Sequence, residues 1–426
     1  MPHKRGFLFL PTAVVAISLS QLAAAQKFQP KSIQFKGAEG YSDEDLISAA
    51  GLKKGAIMDY AEMNDRTKQL LDTGLFSTLA FKFDGQDLIF TVTPSANLYP
   101  IHPDNLPLAQ GTELDAKVHK LVPLYYGKIP AEGGITEAVR GALEKILAEQ
   151  GFQATVTAVS GMVGGEGSAV HFSISTPQVV VGPIQPTAAS TPLDPGALEI
   201  ISKMTGSPYD AVGSSSQITT YLGNYYHDKG YLEALVEAKS QSAALADGAI
   251  RVPFGISVEP GSQYRLAAVR LAPDIVVSQA DFDKQARIHP GDVADGQHVT
   301  ENWEYLSRQY HDHGFMKVSI HPTPTFDRSK GTVSYDVKAE PGPIYAMGAL
   351  SIENVSDDLR TQMMAAWKMP AGTTFNEGAI RSFFAIDQTV NPMLNRVFAA
   401  VDCRYTLHLN DEKRTVDVTL RLDRKK

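Results

Sequence analysis

The chain has 426 residues, a formal net charge of −8 and one cysteine, Cys403. This length is too great for one ordinary hydrophobic core and favours several modules. The acidic balance and the lack of a long basic block argue against nucleic-acid binding. A single cysteine excludes an internal disulfide.

The first 25 residues have the pattern of a secretory signal peptide. His3, Lys4 and Arg5 form a basic start, Phe7–Leu22 is mostly apolar, and Ala23–Ala25 offers small residues for cleavage. A single membrane anchor is the alternative, but polar residues interrupt the apolar run and favour cleavage. No later stretch approaches the roughly 18 apolar residues of a membrane helix. An exported chain without disulfides is typical of a bacterial envelope, so we expect a periplasmic protein associated with the outer membrane.

Five modules are predicted along the rest of the chain, at residues 28–94, 95–177, 178–260, 261–342 and 343–426. The expected order in each is strand, helix, helix, strand, strand. Predicted helices include 61–73 in the first module, 135–149 in the second, 196–204 in the third, and 281–288 and 300–313 in the fourth. The apolar period of these segments is that of a half-buried helix, and it changes to two in the strands that follow.

The fifth module departs from this pattern. Asn391-Pro392 stands where the other modules have a glycine, which in three of them precedes an aromatic residue. Its closing strand is still predicted, because Val416, Val418, Leu420 and Leu422 alternate with polar residues.

Two sequence markers repeat along the chain. One is a helix end followed by a glycine, at Gly74, Gly151, Gly230 and Gly314, in steps of 77, 79 and 84 residues. The other is a Glu-Pro-Gly-x-x-Tyr turn, whose two copies are 81 residues apart. The residues that define the modules are therefore Gly230, Tyr231, Gly261, Tyr264, Gly314, Phe315, Gly342 and Tyr345.

This repeat resembles the POTRA domain, as found in tandem in the periplasmic arms of the outer-membrane assembly factors BamA and TamA. The resemblance implies an α+β fold, in which each β-α-α-β-β module has a three-stranded mixed sheet with two helices on one face. In that family a membrane β-barrel follows the last POTRA domain. Only Arg424-Lys425-Lys426 follows the last predicted strand here, so we expect the role of the arm without the barrel.

The resemblance also implies that the strand after the second helix is an exposed sheet edge. Such an edge can pair with an extended segment of another chain through main-chain hydrogen bonds; the alternative is an edge that is only solvated. We predict these strands at 79–83, 153–158, 232–236 and 316–320. The candidate pairing residues are Leu79, Phe81, Phe83, Ala154, Val156, Leu232, Val236, Met316, Lys317, Val318 and Ile320.

The implied partners are a separate outer-membrane β-barrel protein, unfolded outer-membrane precursors and other subunits of the assembly machinery. The expected function is that of a non-enzymatic scaffold or chaperone in outer-membrane protein assembly or secretion. A structural envelope spacer or adhesin is the alternative function.

Catalytic, cofactor and metal sites are not expected. His311 and His313 flank Asp312, and His227-Asp228 occupies the matching place in the third module. Helix residues two apart do not share a face, and the repetition indicates a feature of the module rather than a unique metal site. The chain also lacks G-x-S-x-G, H-E-x-x-H and C-x-x-C motifs.

Overall fold

The structure is a computed structural model that describes residues 27–163, 167–385, 396–398 and 400–424. The predicted signal peptide, the Asn391-Pro392 junction and the last two lysines lie outside the described residues. Contacts divide the chain into two compact units, Met1–Thr220 with Glu237–Ser257, and Tyr221–Val236 with Val258–Lys426.

The first module is a three-stranded sheet of order β1-β3-β2, with β1 parallel and β2 antiparallel to β3. Side chains of β3 alternate between buried and exposed, so one face of the sheet forms the core. Ser42 and Asp59 cap the two helices by accepting backbone N–H groups. The elements are β1 (Ser32–Lys36), α1 (Asp43–Ala49), α2 (Tyr60–Leu71), β2 (Phe76–Asp84) and β3 (Asp87–Pro94).

The second module has a four-stranded sheet of order β5-β4-β7-β6. Its opening is irregular in sequence, and the short strand β5 adds a fourth strand there. The elements are β4 (Tyr99–Pro103), α3 (Thr112–Leu121), β5 (Lys128–Ile129), α4 (Gly134–Glu149), β6 (Thr155–Met162) and β7 (Ser168–Thr176).

In the third module β11 lies between β8 on one side and the short strands β9 and β10 on the other. Its elements are β8 (Gln178–Pro186), α5 (Pro195–Met204), α6 (Gly213–Asp228), β9 (Leu235–Ser240), β10 (Ala244–Ala246) and β11 (Ala249–Glu259). The prediction of three strands is thus wrong for the second and third modules. In the third, the edge is interrupted between Ser240 and Ala244, which splits it in two.

The fourth and fifth modules each have a three-stranded mixed sheet, of orders β12-β14-β13 and β15-β17-β16. The elements of the fourth are β12 (Arg265–Leu271), α7 (Gln279–Gln285), α8 (Gly296–His311), β13 (Ser319–Asp327) and β14 (Thr332–Glu340). Those of the fifth are β15 (Ala346–Glu353), α9 (Asp357–Ala366), α10 (Glu377–Phe384), β16 (Val401–Asn410) and β17 (Thr415–Arg424).

The prediction of an α+β array of β-α-α-β-β modules is confirmed. Among the described residues, no helix combines the length and apolarity needed to cross a membrane.

Candidate functional site

The strand that follows the second helix is a sheet edge, as predicted, in the first, second and fourth modules. The fifth module, for which no edge strand was predicted, has the same arrangement with β16 at the edge. Six of the candidate pairing residues lie in the strands that follow the second helices. Five of them are half-buried, and Val156 is buried. They are Leu79, Phe81 and Phe83 in β2, Val156 in β6, Val236 in β9 and Ile320 in β13.

Five of the predicted edge residues lie outside the strands. Ala154 precedes β6, Leu232 precedes β9, and Met316, Lys317 and Val318 precede β13. β6, β9 and β13 begin later than predicted, because the chain first turns after the repeated glycine. Leu232 and Met316 then pack against the apolar clusters of the fourth and fifth modules, respectively.

The repeated glycine and tyrosine form a joint between consecutive modules. The Gly230 carbonyl accepts the N–H of Tyr264 at 2.9 Å, and the Gly314 carbonyl accepts the N–H of Tyr345 at 2.9 Å. Both tyrosine side chains are buried in the following module. The two sequence markers therefore meet in space, one on each side of the joint.

Each joint glycine has a positive φ, which suits the left-handed turn that ends a helix. At Gly314 a Cβ atom would lie 3.0 Å from the Tyr345 carbonyl oxygen and 2.9 Å from Thr374 Cγ2. The position therefore demands glycine for two reasons, its backbone conformation and the close approach of the next module. Tyr231 and Phe315, one residue later, pack edge-on against tyrosines of the preceding helices.

A carboxylate and a cation link the two sides of each joint, with the charges exchanged. At the first joint Glu233 accepts hydrogen bonds from Tyr264 Oη and from Arg328 of the β13–β14 turn. At the second, Lys317 Nζ lies 2.7 Å from an oxygen of Asp411, in the β16–β17 turn, and Tyr345 Oη donates to the other oxygen. The bond from Lys317 lowers the pKa of Asp411, and the bond from Arg328 lowers that of Glu233.

Charge exchange within one joint tests this arrangement. Lys317→Glu is expected to weaken the joint, because it places two carboxylates together, and Lys317→Glu with Asp411→Lys is expected to restore most of the loss. A double-mutant cycle on chemical unfolding would measure the coupling, which should fall with added salt because the pair is exposed. Equal losses in the single and double variants would contradict a direct pairing.

The His-Asp pairs at the ends of α6 and α8 contact the next module. His311 Nδ1 lies 2.9 Å from Glu377, at the start of α10, and Arg381 donates to Asp312 at 2.6 Å. A carboxylate near the first turn of a helix is stabilised by the helix dipole. In the third module Asp228 likewise accepts the backbone N–H of Gln297, near the start of α8. The repeated His-Asp motif is therefore part of the joint.

Glu377 should make the stability of the second joint depend on pH. Its pKa is lowered from about 4.5, first by the hydrogen bond with His311 and also by Tyr405 Oη. A carboxylate with a lowered pKa stabilises the fold above its unfolded pKa, and this contribution disappears as pH falls through the lowered value. We expect Glu377→Gln to cost about 1–2 kcal/mol at pH 7 and progressively less as the pH falls through the lowered pKa of Glu377. Urea unfolding over a series of acidic pH values checks this, and a constant loss would contradict it.

The joint between the first two modules uses other residues. Tyr126 Oη donates to Asp45 at 2.5 Å, and the N–H of Gly134 donates to the Asp72 carbonyl at 2.9 Å. Sequence analysis missed this joint because the Glu-Pro-Gly-x-x-Tyr turn is absent from this part of the chain.

Sequence analysis also missed a cluster of His102, Asp104 and His171 in the second module. Among the described residues it is the one group with three potential metal ligands within 4.8 Å of one another. Asp104 Oδ1 lies 2.9 Å from His102 Nδ1 and 2.7 Å from His171 Nδ1. No sequence signal would find it, because His171 reaches Asp104 only through the pairing of β4 with β7.

Hydrogen bonding explains this cluster better than metal coordination. His171 Nε2 is buried without a partner among the described residues. A metal on Nδ1 would fix the proton on Nε2 and leave a buried donor unpaired, at a cost of about 1–3 kcal/mol. Both imidazole rings instead form hydrogen bonds with Asp104, so we interpret the cluster as a link between the end of β4 and β7.

The comparison with known families agrees with the module topology. The POTRA family model, described as surface antigen variable number repeat, matches residues 264–342. The fourth module therefore matches the POTRA family model from the start of its first strand to its closing turn. The resemblance seen in the sequence is thus confirmed for the most regular module.

Several solved structures are also similar to this chain. POTRA3-5 of BamA from Haemophilus influenzae is 15% identical, with a TM-score of 0.41 over 58% of this chain and 98% of that one. POTRA1-3 of the periplasmic domain of Omp85 from Anabaena is 14% identical, with a TM-score of 0.23 over 59% of this chain and 98% of that one. CdiB from Acinetobacter baumannii is 18% identical, with a TM-score of 0.20 over 39% of this chain and 31% of that one. The POTRA assignment depends on the family model and the observed topology, not on these values.

Proposed function

We propose that this protein is a non-catalytic periplasmic scaffold for outer-membrane protein assembly or secretion. It captures extended segments of partner or client polypeptides by adding them to an open sheet edge. The POTRA domain at residues 264–342 supports the class of function. The observation that carries the proposal is the open edge of β6 in the second module, which differs from the other edges in composition.

The other edge strands carry features that oppose pairing with another chain. β2 has Lys82 and Asp84, β9 is short and has Glu237 and Lys239, and β16 has Asp402 and Arg404. Charges and short length are the usual means by which natural sheets protect their edges.

The edge of β13, in the POTRA module itself, is blocked by two prolines. Pro322 and Pro324 lie opposite Val337 and Tyr335 in a continuous antiparallel ladder. Proline has no N–H to donate, so in an edge strand it occupies positions whose N–H would face away from the sheet. Residues two apart face the same side, and β13 therefore lacks two consecutive outward donors.

β6 has neither protection. Its sequence, Thr155 to Met162, contains no charged residue and no proline, and Val159 and Met162 are 63% and 67% exposed. The N–H of Val156 points away from β7, because it donates to the Glu144 carboxylate at 2.9 Å. Alternate residues face the same side, so the N–H groups of Ala158 and Ser160 also point outward.

Site-specific photo-crosslinking in cells tests the proposal. A photoreactive residue at Val159 is expected to give crosslinks to unfolded outer-membrane precursors or to a β-barrel partner. The matched control is Thr323, which lies between the two prolines of β13 and should give few. An absence of crosslinks at Val159, with the protein folded and exported, would overturn client capture and favour a spacer role.

A further inference from the structure

In the sheet of the fourth module, β12 forms the edge opposite β13. A side chain at this edge forms the hydrogen bonds that a neighbouring strand would form. Gln279, the first residue of α7, places its carboxamide beside the outer edge of β12. Its Nε2 donates to the Val269 carbonyl at 3.1 Å, and its Oε1 accepts the N–H of Leu271 at 2.9 Å. A residue of a parallel strand forms the same two bonds, one to each of two residues that flank its position.

The part of β12 beside Gln279 is otherwise an open edge. Earlier in the strand, Leu266 is already paired with the chain itself, through Asp292 at 2.9 Å and Gly291 at 2.8 Å. Toward the end of the strand, the outward groups of Val269 and Leu271 meet the Gln279 side chain instead of a backbone. A side chain is displaced more readily than a paired strand, because it can rotate into water.

A groove runs beside this edge, between β12 and α7. It has a volume of 460 Å³, and its apolar lining includes Leu266, Val269, Phe282, Ala286 and Ile288. Asp283 lies at the rim and accepts a hydrogen bond from Gln279 Nε2 at 2.8 Å, which holds the carboxamide in place. The groove is therefore bordered by backbone hydrogen-bonding groups on one side and by apolar side chains at its base.

We infer that this groove binds an extended polypeptide segment parallel to β12, and that Gln279 occupies the position of that segment's backbone in the empty state. The two bonds of Gln279 point to the occupant, because each residue of a paired parallel strand supplies a donor and an acceptor at this spacing. The bound segment should have alternating apolar and polar side chains, since one face of it would contact the groove and the other would face water. This inference rests on the proposed function and assigns it a second site.

An octapeptide of alternating valine and threonine tests the inference. It carries fluorescein at one end and a benzophenone at one valine, and its binding to the full chain is followed by fluorescence anisotropy. Gln279→Ala removes the competing side chain, so the peptide should bind about five-fold tighter. Gln297→Ala is the matched control, because Gln297 is an exposed glutamine of the same module whose side chain donates to Glu301. Alanine keeps the backbone N–H that bonds Asp228, so this variant should bind the peptide as the wild type does.

The site of photo-attachment separates this inference from the proposed function. Adducts within residues 265–290, increased in Gln279→Ala, support it. Adducts on β6 alone, or equal affinity in wild type and Gln279→Ala, overturn it and leave the proposed function standing. Adducts on neither strand overturn both. If Gln279→Ala alters the fluorescence of Trp303, Gln279→Glu serves instead, because it keeps the acceptor for Leu271 and loses the donor to Val269; an affinity no higher than that of the wild type overturns the inference.

Discussion

Gly314→Ala is expected to destabilise the joint between the fourth and fifth modules by about 2–5 kcal/mol. An alanine at a φ of +84° costs about 1–2 kcal/mol by itself. Its Cβ would also press on the Tyr345 carbonyl and Thr374, and overpacking of this kind costs about a further 1–3 kcal/mol. The second cost falls on the joint, because both contacted residues belong to the fifth module.

Gly291→Ala separates the cost of the backbone conformation from the cost of overpacking at the joint. Gly291 also has a positive φ, +97°, but a Cβ there would have no neighbour within 4 Å, so we expect a loss of only about 1–2 kcal/mol. The chain has two tryptophans, Trp303 in the fourth module and Trp367 in the fifth. Urea unfolding in single-tryptophan backgrounds therefore reports each module separately. Equal losses for the two glycine variants would contradict steric fit at the joint.

Ser160→Pro is expected to reduce crosslinking of client polypeptides from Val159 by about ten-fold or more. Proline removes an outward N–H of β6 and places its ring where a paired segment would lie, while the ladder with β7 uses the other side of the strand. The free energy of unfolding should change by less than about 1 kcal/mol, since no internal hydrogen bond is lost.

Ser160→Ala is the matched control for this variant. It removes the hydroxyl but keeps the N–H, so crosslinking from Val159 should stay at the wild-type level. If Ser160→Pro crosslinks as well as Ser160→Ala, the capture does not use the backbone of β6.

The repeating parts of the fold were predictable from sequence, because periodicity and glycine position are local signals. The helices predicted at 135–149 and 300–313 and the alternation in β17 both act through neighbours close in sequence. The beginnings of β9 and β13 were predicted too early, since Leu232 and Met316 look like strand residues until the next module is present to bury them. Their environment is set by residues far along the chain.

The joints themselves were only half predictable. The sequence identified Gly314 and Tyr345 as module-defining, but not that one bonds to the other. Charge exchange between Glu233 with Arg328 and Lys317 with Asp411 has no local signature, because each pair unites residues more than 90 positions apart. The contrast between the two edge strands, by comparison, is visible in the amino-acid sequence, since β13 contains two prolines and β6 contains none.

The most direct test of polypeptide capture is hydrogen exchange with an unfolded outer-membrane precursor added. Pairing through the backbone predicts slower exchange of the Ala158 and Ser160 amides of β6 in the presence of the precursor. The amides of β13 should exchange at the same rate with or without it. Unchanged exchange at β6, while the precursor is bound elsewhere on the chain, would contradict capture at this edge.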